Sequence, residues 1–365
     1  MSIPIKNDLM IPYANRVLYE LPTGRGKTRA SLLYLQSKNV HKPLVVLPRK
    51  LLERNWINEI KKWNMNDVIQ PIFIQYASFI NPQKWKNLDF DSIIFDEAHH
   101  ITERCAQALN ENKSVWISKV ICMLSATISY EQRQLLKYVF HPFFTVWDSM
   151  QNAIKDNALP KPTIIMWELT MSDKNRAIYQ KIEHEINVIK VKAQSYINYE
   201  KLHLLKCKQR NIWLSKQKTI YIKDLLKILS THNKYRTLTF CADIQHCEDI
   251  LPNSNITSKN KTSKSILEAF NDKQINHISA CNMLDEGQNL VDCQIGIFAY
   301  LTISKKLTVQ RIGRILRHPN PIIILPYYKD TRDYEIICSL YKQLKDVSNI
   351  YRYNGFLDIF NLLIK

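Results

Sequence analysis

Glycine is scarce in this chain, with six residues in 365, and no run of about 18 consecutive apolar residues occurs anywhere. The missing apolar run argues against a membrane-spanning helix, so no membrane partner is expected. The first ten residues, MSIPIKNDLM, contain no basic segment leading into a long apolar core, which argues against a secretion signal and for a cytoplasmic, intracellular protein. The eight cysteines (105, 122, 207, 241, 247, 281, 293 and 338) include no CxxC pair, and Cys241 and Cys247 are too far apart for a zinc knuckle. They are expected to be reduced core thiols. Acidic residues are also in short supply, 33 against 51 Lys and Arg, leaving a net charge of +18. A polyanion is the large partner such a chain favours, because cations that neutralise phosphates release condensed counterions. Lysine (36) far exceeds arginine (15), and Ile and Asn are abundant, which hints at an AT-rich genome such as that of a virus or phage.

What is present has a rhythm. RVLYEL precedes KTRASLLYLQ, PLVVL precedes LLERNWINEIKKW, and SIIF runs into acids. Apolar runs alternating with amphipathic stretches predict an α/β fold with parallel sheets flanked by helices. The rhythm pauses between Asp148 and Pro162, around two prolines, and resumes at TLTF (237–240), INHISAC, QIGIFAY and PIIILPYY. The chain length suits roughly two domains. The expected division is lobe 1 over 1–150, a linker over 151–165, a basic helical segment over 166–236, and lobe 2 over 237–365 ending in helices. No solenoid-period repeat or low-complexity tract is present.

Two motifs carry chemistry. Residues 21–28 read LPTGRGKT between a strand pattern and a helix pattern, the context of a phosphate-binding loop, although Leu21 stands where the usual pattern has glycine. Backbone N–H groups across Thr23, Gly24, Arg25 and Gly26 and the helix N-terminus would cradle phosphates. Lys27 would reach the β- and γ-phosphates of ATP, and the Thr28 hydroxyl would hold Mg2+. SIIFDEAH (92–99) is an apolar strand ending in two acids. Asp96 is placed to hold the Mg2+ shell, and Glu97 to orient and deprotonate a water. Four of the six glycines (24, 26, 287 and 313) fall in the motifs named here, as expected where backbone must approach a ligand or take positive φ.

With these in hand, the chain resembles the superfamily-two (DEAD/DEAH-type) helicases and translocases from about residue 16 to about 330. LVVLPRKLLERNW looks like the segment after the phosphate loop, which implies that Pro48 and Arg49 approach the nucleic-acid backbone. IQYASF is similar to the next strand and turn, with Ser78 as a phosphate contact. LSAT resembles the SAT motif, whose Ser125 and Thr127 would link the DEAH stretch, through His99, to the nucleic-acid track. TLTFCADIQHCEDI resembles motif IV, CNMLDEGQNL resembles motif V with Glu286 and Gly287 at the matching positions, and QRIGRILR (310–317) resembles motif VI. The resemblance implies two tandem RecA-like lobes, with Gln310, Arg314 and Arg317 from the second facing the γ-phosphate. The i, i+3 spacing of Arg314 and Arg317 puts both on one helix face.

The sequence departs from the family in two places. MIPYANRVLYELPTG leaves no room for the helix that usually separates an adenine-reading glutamine from the phosphate loop, although Tyr13 is placed to stack on a base. The Lys-rich stretch from ELTMSDKN to WLSKQK looks like the opening of the second lobe in remodelling-type translocases and phage-type DNA repair helicases. Lys206, Lys208 and Arg210, with Lys190 and Lys192, are its candidate nucleic-acid contacts; a solvated helix pair is the equal alternative. The expectation is an ATP hydrolase, a monomeric motor that couples hydrolysis to unwinding of or translocation along DNA, favoured over RNA, and takes specificity from a protein partner. An RNA helicase, the motor subunit of a restriction system and a non-hydrolysing nucleic-acid clamp remain as alternatives.

Overall fold

The computed structural model describes residues 10–193, 197–231, 235–281, 290–302, 305–355, 358–359 and 361–362. The chain divides into two compact units between Leu159 and Pro160. Among the described residues, no helix is long and apolar enough to cross a membrane.

The first unit runs β1 (Arg16–Glu20), α1 (Lys27–Ser37), β2 (Pro43–Leu47), α2 (Leu52–Lys62), β3 (Ile72–Gln75), α3 (Tyr76–Phe79), β4 (Ser92–Phe95), α4 (Glu103–Glu111), α5 (Lys113–Trp116), β5 (Val120–Ser125), α6 (Tyr130–Phe140), β6 (Phe144–Trp147) and α7 (Met150–Lys155). Its strands form one sheet in the order β3-β2-β4-β5-β1-β6, with parallel pairing throughout. PLVVL, SIIF and VICMLS are apolar on both faces because a parallel sheet of this kind is covered on both. On one face Leu18 and Phe95 pack with Leu109, Trp116 and Phe140 from α4, α5 and α6. On the other, Val17 and Tyr19 pack with Leu32, Leu35 and Trp56 from α1 and α2. Each large apolar side chain so buried contributes about 1.5–3 kcal/mol.

The order of the strands positions the site. β2, β4, β5 and β1 are successive neighbours, and their registers (Val46↔Phe95, Phe95↔Met123, Glu20↔Ser125) keep their C-terminal ends level. Ligands of open α/β sheets bind beyond those ends. Four motifs that lie far apart in the chain therefore emerge in one row.

The second unit runs β7 (Thr163–Leu169), α8 (Asp173–Ala193), α9 (Ile197–Gln217), α10 (Thr219–Thr231), β8 (Thr237–Phe240), α11 (Ile244–Ile250), β9 (Asn255–Ile256), α12 (Ser263–Asn271), β10 (His277–Ala280), β11 (Ile295–Phe298), α13 (Lys305–Ile315), β12 (Ile322–Tyr328), α14 (Arg332–Leu344) and β13 (Asn349–Tyr353). Its sheet, also parallel, is ordered β13-β7-β12-β11-β8-β10-β9. Two parallel sheets flanked by helices are the tandem RecA-like arrangement.

Two strands stand where the sequence pattern offers none. β7 begins at Thr163, inside the stretch expected to be linker, and runs in full register with β12. The second sheet thus opens before the basic helices and not at residue 237. TIIMWEL has no period-2 alternation because both its faces are covered, and the prolines beside it mask the run. β13 stands where C-terminal helices are expected. NIYRY is an edge strand with several exposed residues, and its pairing with β7 is tertiary, not local.

Gly296 in β11 is required by close approach. A Cβ there would stand 2.7 Å from Cγ1 of Ile315, at the end of α13. The helix that carries motif VI is therefore seated directly on a bare strand backbone. Gly296→Ala is expected to destabilise the protein by about 1–3 kcal/mol through overpacking, measured by urea unfolding, and to lower the ATPase rate by displacing α13. An unchanged midpoint would show that the helix can shift freely.

Candidate nucleotide site and coupling network

β1 ends at Glu20, and the chain then turns tightly enough for the Arg25 N–H to donate to Pro22 O at 3.1 Å. Gly24 and Gly26 take φ of 90° and 87°, a region that side chains rarely tolerate. α1 starts at Lys27 with no side-chain cap and no acid in its first turn. Its N-terminal end, where the helix dipole is positive, suits an anion. Thr23 is buried, Gly24 is exposed, and Lys27 and Thr28 are half-buried, with the Lys27 ammonium donating to Leu21 O at 3.2 Å. Arg25, expected to lend its N–H to the phosphate cradle, has that N–H on Pro22 O. Its guanidinium, 9% exposed, donates from Nε to Asp148 Oδ2 at 3.0 Å and so braces the loop from within.

Asp96 follows β4 and is held from three sides. Trp56 Nε1 donates to Oδ2 at 2.9 Å, the Glu97 N–H donates to Oδ1 at 3.0 Å, and the Tyr76 hydroxyl donates to the Asp96 carbonyl at 3.0 Å. Burial, and then the charge of Glu97, push the Asp96 carboxyl up to about 6, while the Trp56 N–H and Lys27 oppose the shift. Glu97 sits at φ 50°, ψ 58°, a strained left-handed conformation of the kind found at functional sites. Its Oε2 is buried without a hydrogen-bond partner among the described residues.

A relay continues from there. Ser125 donates its hydroxyl proton to Thr127 O at 2.9 Å, and its oxygen lies 3.1 Å from His99 Nδ1. The same Nδ1 lies 3.4 Å from Glu97 Oε2. The structure thus brings Glu97, His99, Ser125 and Thr127 into one contact chain. The Thr127 hydroxyl is buried with no hydrogen-bond partner among the described residues.

In the second unit, Gln310 and Arg314 are buried along α13 and Arg317 is exposed just beyond it. The Gln310 Oε1 has no hydrogen-bond partner among the described residues. Arg311, 1% exposed, lies over the Phe240 and Tyr300 rings and donates to Tyr300 O at 3.3 Å. It fastens the helix, and only the packing reveals that role. Glu286 and Gly287 lie outside the described residues.

Pro48 and Arg49 are half-buried at the end of β2, and Ser78 is half-buried in α3. Lys206 pairs with Glu185 at 3.0 Å, and Lys208 is exposed. Arg210 meets a different fate from the expected phosphate contact. It is 7% exposed and paired with Glu183 at 2.9 Å, so its charge is spent inside the α8–α9 pair. Sequence reasoning also passed over Trp56, Tyr76 and Asp148. The signal for Trp56 was a lone indole on the buried face of an amphipathic helix; the other two gave none.

The Thr28 hydroxyl and the Asp96 carboxylate are hard oxygen donors that fit Mg2+, which keeps several waters and takes one or two protein ligands beside phosphate oxygens. Among the described residues, no cluster of three or more His, Cys, Asp or Glu could hold a metal by itself.

A phosphate loop, an acidic pair at a nearby strand end and two parallel sheets define a P-loop nucleoside triphosphatase. Residues 6–130 match the family described as type III restriction enzyme, res subunit, and residues 218–319 match the helicase conserved C-terminal domain. The DNA 3'-5' translocase XPB2 of Sulfurisphaera tokodaii is 24% identical, over 88% of this chain and 80% of that protein. Among solved structures, S. cerevisiae Dbp5 bound to RNA and ADP BeF3 matches with a TM-score of 0.63 at 12% identity, over 98% of this chain and 90% of that one. The Pyrococcus furiosus Hef helicase domain matches with a TM-score of 0.54 at 14% identity, over 89% and 94%. The chain belongs to the superfamily-two helicases and translocases, and is an ATP-hydrolysing, nucleic-acid-dependent motor.

Two expectations follow from the geometry. The raised Asp96 carboxyl binds its proton more tightly folded than unfolded, so without metal the folded state loses stability as pH rises from about 4 to about 6. The parent should therefore lose about 1–3 kcal/mol more stability than Asp96→Asn between pH 4.5 and pH 7.5 in EDTA. An equal loss in the two would contradict this. Lys208→Ala should lower the salt dependence of nucleic-acid binding by about one ion, whereas Arg210→Ala should cost about 1–3 kcal/mol of stability by removing the ion-paired hydrogen bond to Glu183, which keeps the Tyr179 hydroxyl. Binding titrations across a salt series and thermal unfolding separate the two.

Proposed function

We propose that this protein is a DNA motor that couples ATP hydrolysis to translocation along, or unwinding of, DNA in replication, recombination or repair. The observation that carries the reading is the meeting of Asp96, Glu97, His99 and Ser125 in hydrogen-bond or ion-pair reach of one another, on the strand ends that neighbour the phosphate loop. DNA is favoured because the XPB2 relative is a DNA translocase and because residues 6–130 match a restriction-enzyme subunit.

The roles follow from the chemistry of each group. The N–H groups of Thr23, Gly24, Gly26, Lys27 and Thr28 and the Lys27 ammonium hold the phosphates. Thr28 and Asp96 would hold Mg2+, which would supply positive charge against the phosphoryl oxygens. Glu97, whose Oε2 has no hydrogen-bond partner among the described residues, orients the attacking water and takes its proton. As the new P–O bond forms and the bond to the β–γ bridging oxygen breaks, Arg314 and Arg317 neutralise charge on the transferred group, with Gln310 beside them. His99 transmits the state of Glu97 to Ser125 and Thr127, and so to the segments that hold the track. Pro48, Arg49, Ser78 and Lys208 contact the nucleic-acid backbone, and Glu286 and Gly287 complete the coupling.

The test is the ATPase rate with single-stranded DNA, duplex DNA, forked DNA and RNA. One DNA form should stimulate strongly, and Glu97→Gln should reduce kcat by about 100-fold or more while ATP still binds. Greater stimulation by RNA would reverse the choice of track; no hydrolysis with any of them would leave a clamp.

A further inference from the structure

Trp56 lies on α2, about one helical turn from its start at Leu52, and is 2% exposed among the apolar side chains that cover one face of the first sheet. A leucine would serve that core equally well. The indole instead directs Nε1 out of the apolar cluster and onto Asp96 Oδ2 at 2.9 Å. With the Glu97 N–H on Oδ1 at 3.0 Å, each oxygen of the carboxylate has one donor, which fixes the rotation of the group about its Cβ–Cγ bond. One lone pair on each oxygen remains free.

That arrangement matters for a cation with narrow requirements. Mg2+ demands near-octahedral geometry at about 2.0–2.1 Å and tolerates little rotation of a ligand or of a carboxylate that holds its waters. Groups that orient a metal-binding carboxylate without touching the metal typically change metal affinity by about 10- to 100-fold when removed. We propose that Trp56 is a positioning residue for magnesium: its indole N–H sets the orientation of the Asp96 carboxylate that the divalent ion requires. The proposal rests on the assignment of Asp96 to the Mg2+ shell.

α2 adds a consequence. Its first turn is continuous with Arg49 and Lys50, whose carbonyls accept from the Leu52 and Glu53 N–H groups at 3.1 Å each. Trp56 therefore ties the segment proposed to contact the nucleic-acid backbone to the magnesium carboxylate, through about two helical turns. A displacement of α2 by the track reorients Asp96 directly.

The decisive variant is Trp56→Phe, which keeps an aromatic ring in the core and removes the N–H. Nucleotide binding in EDTA should stay within about twofold of the parent, whereas the strengthening that Mg2+ adds should fall about 10-fold, with the Mg2+ concentration for half-maximal ATPase rising by a similar factor. A folded Trp56→Phe with unchanged Mg2+ dependence would overturn the proposal. Asp96→Asn is the control that separates the two claims: if it too leaves Mg2+ dependence unchanged, the assignment of Asp96 is what fails. Should Trp56→Phe not fold, the intact chain labelled with 15N-tryptophan supplies the answer. One of the seven indole resonances should move both on Asp96→Asn and on addition of Mg2+ with ADP. No indole responding to either would equally overturn it.

Discussion

The pairing order of the first sheet is the constraint on which the rest depends. Hydrogen-bonded strands lie about 4.8 Å apart, so making β2, β4, β5 and β1 successive neighbours leaves their ends no choice but to form one short row. Residues 27, 49, 96 and 125 owe their proximity to that order. The order itself is held by burial on both faces, since each strand must satisfy two cores at once and no slip of register does so.

Asp96 is the point where that order meets chemistry. Folding buries a carboxylate beside another carboxylate, which costs stability, and the structure offsets this with donors taken from α2, from the next backbone N–H and, at the carbonyl, from α3. The left-handed turn at Glu97 carries a further cost and is what lets the side chain reach the His99 ring. Strain and uncompensated charge thus gather at one place, as they do at functional sites.

The second unit spends its charge differently. Arg311 is buried within a helix seated on Gly296, so part of the basic composition goes to fastening motif VI. In the helices before it, Arg210 and the fully buried Lys218 answer Glu183 and Asp333 at 2.9 and 2.7 Å. A net positive charge read from composition thus overstates the surface on offer to a polyanion.

From the sequence alone came the two α/β units, the phosphate loop, the acidic pair and the motif VI helix, because each rests on local pattern: apolar runs, glycines before a helix, charges at fixed spacing. Tertiary structure alone decided which strands adjoin, that TIIMWEL is a strand, that Arg25 and Arg210 turn inward, and that Trp56 reaches Asp96 across 40 residues of chain. The reason is physical. Local preference and periodicity act over one or two turns, whereas a hydrogen bond between remote side chains exists only once packing has brought them within about 3 Å.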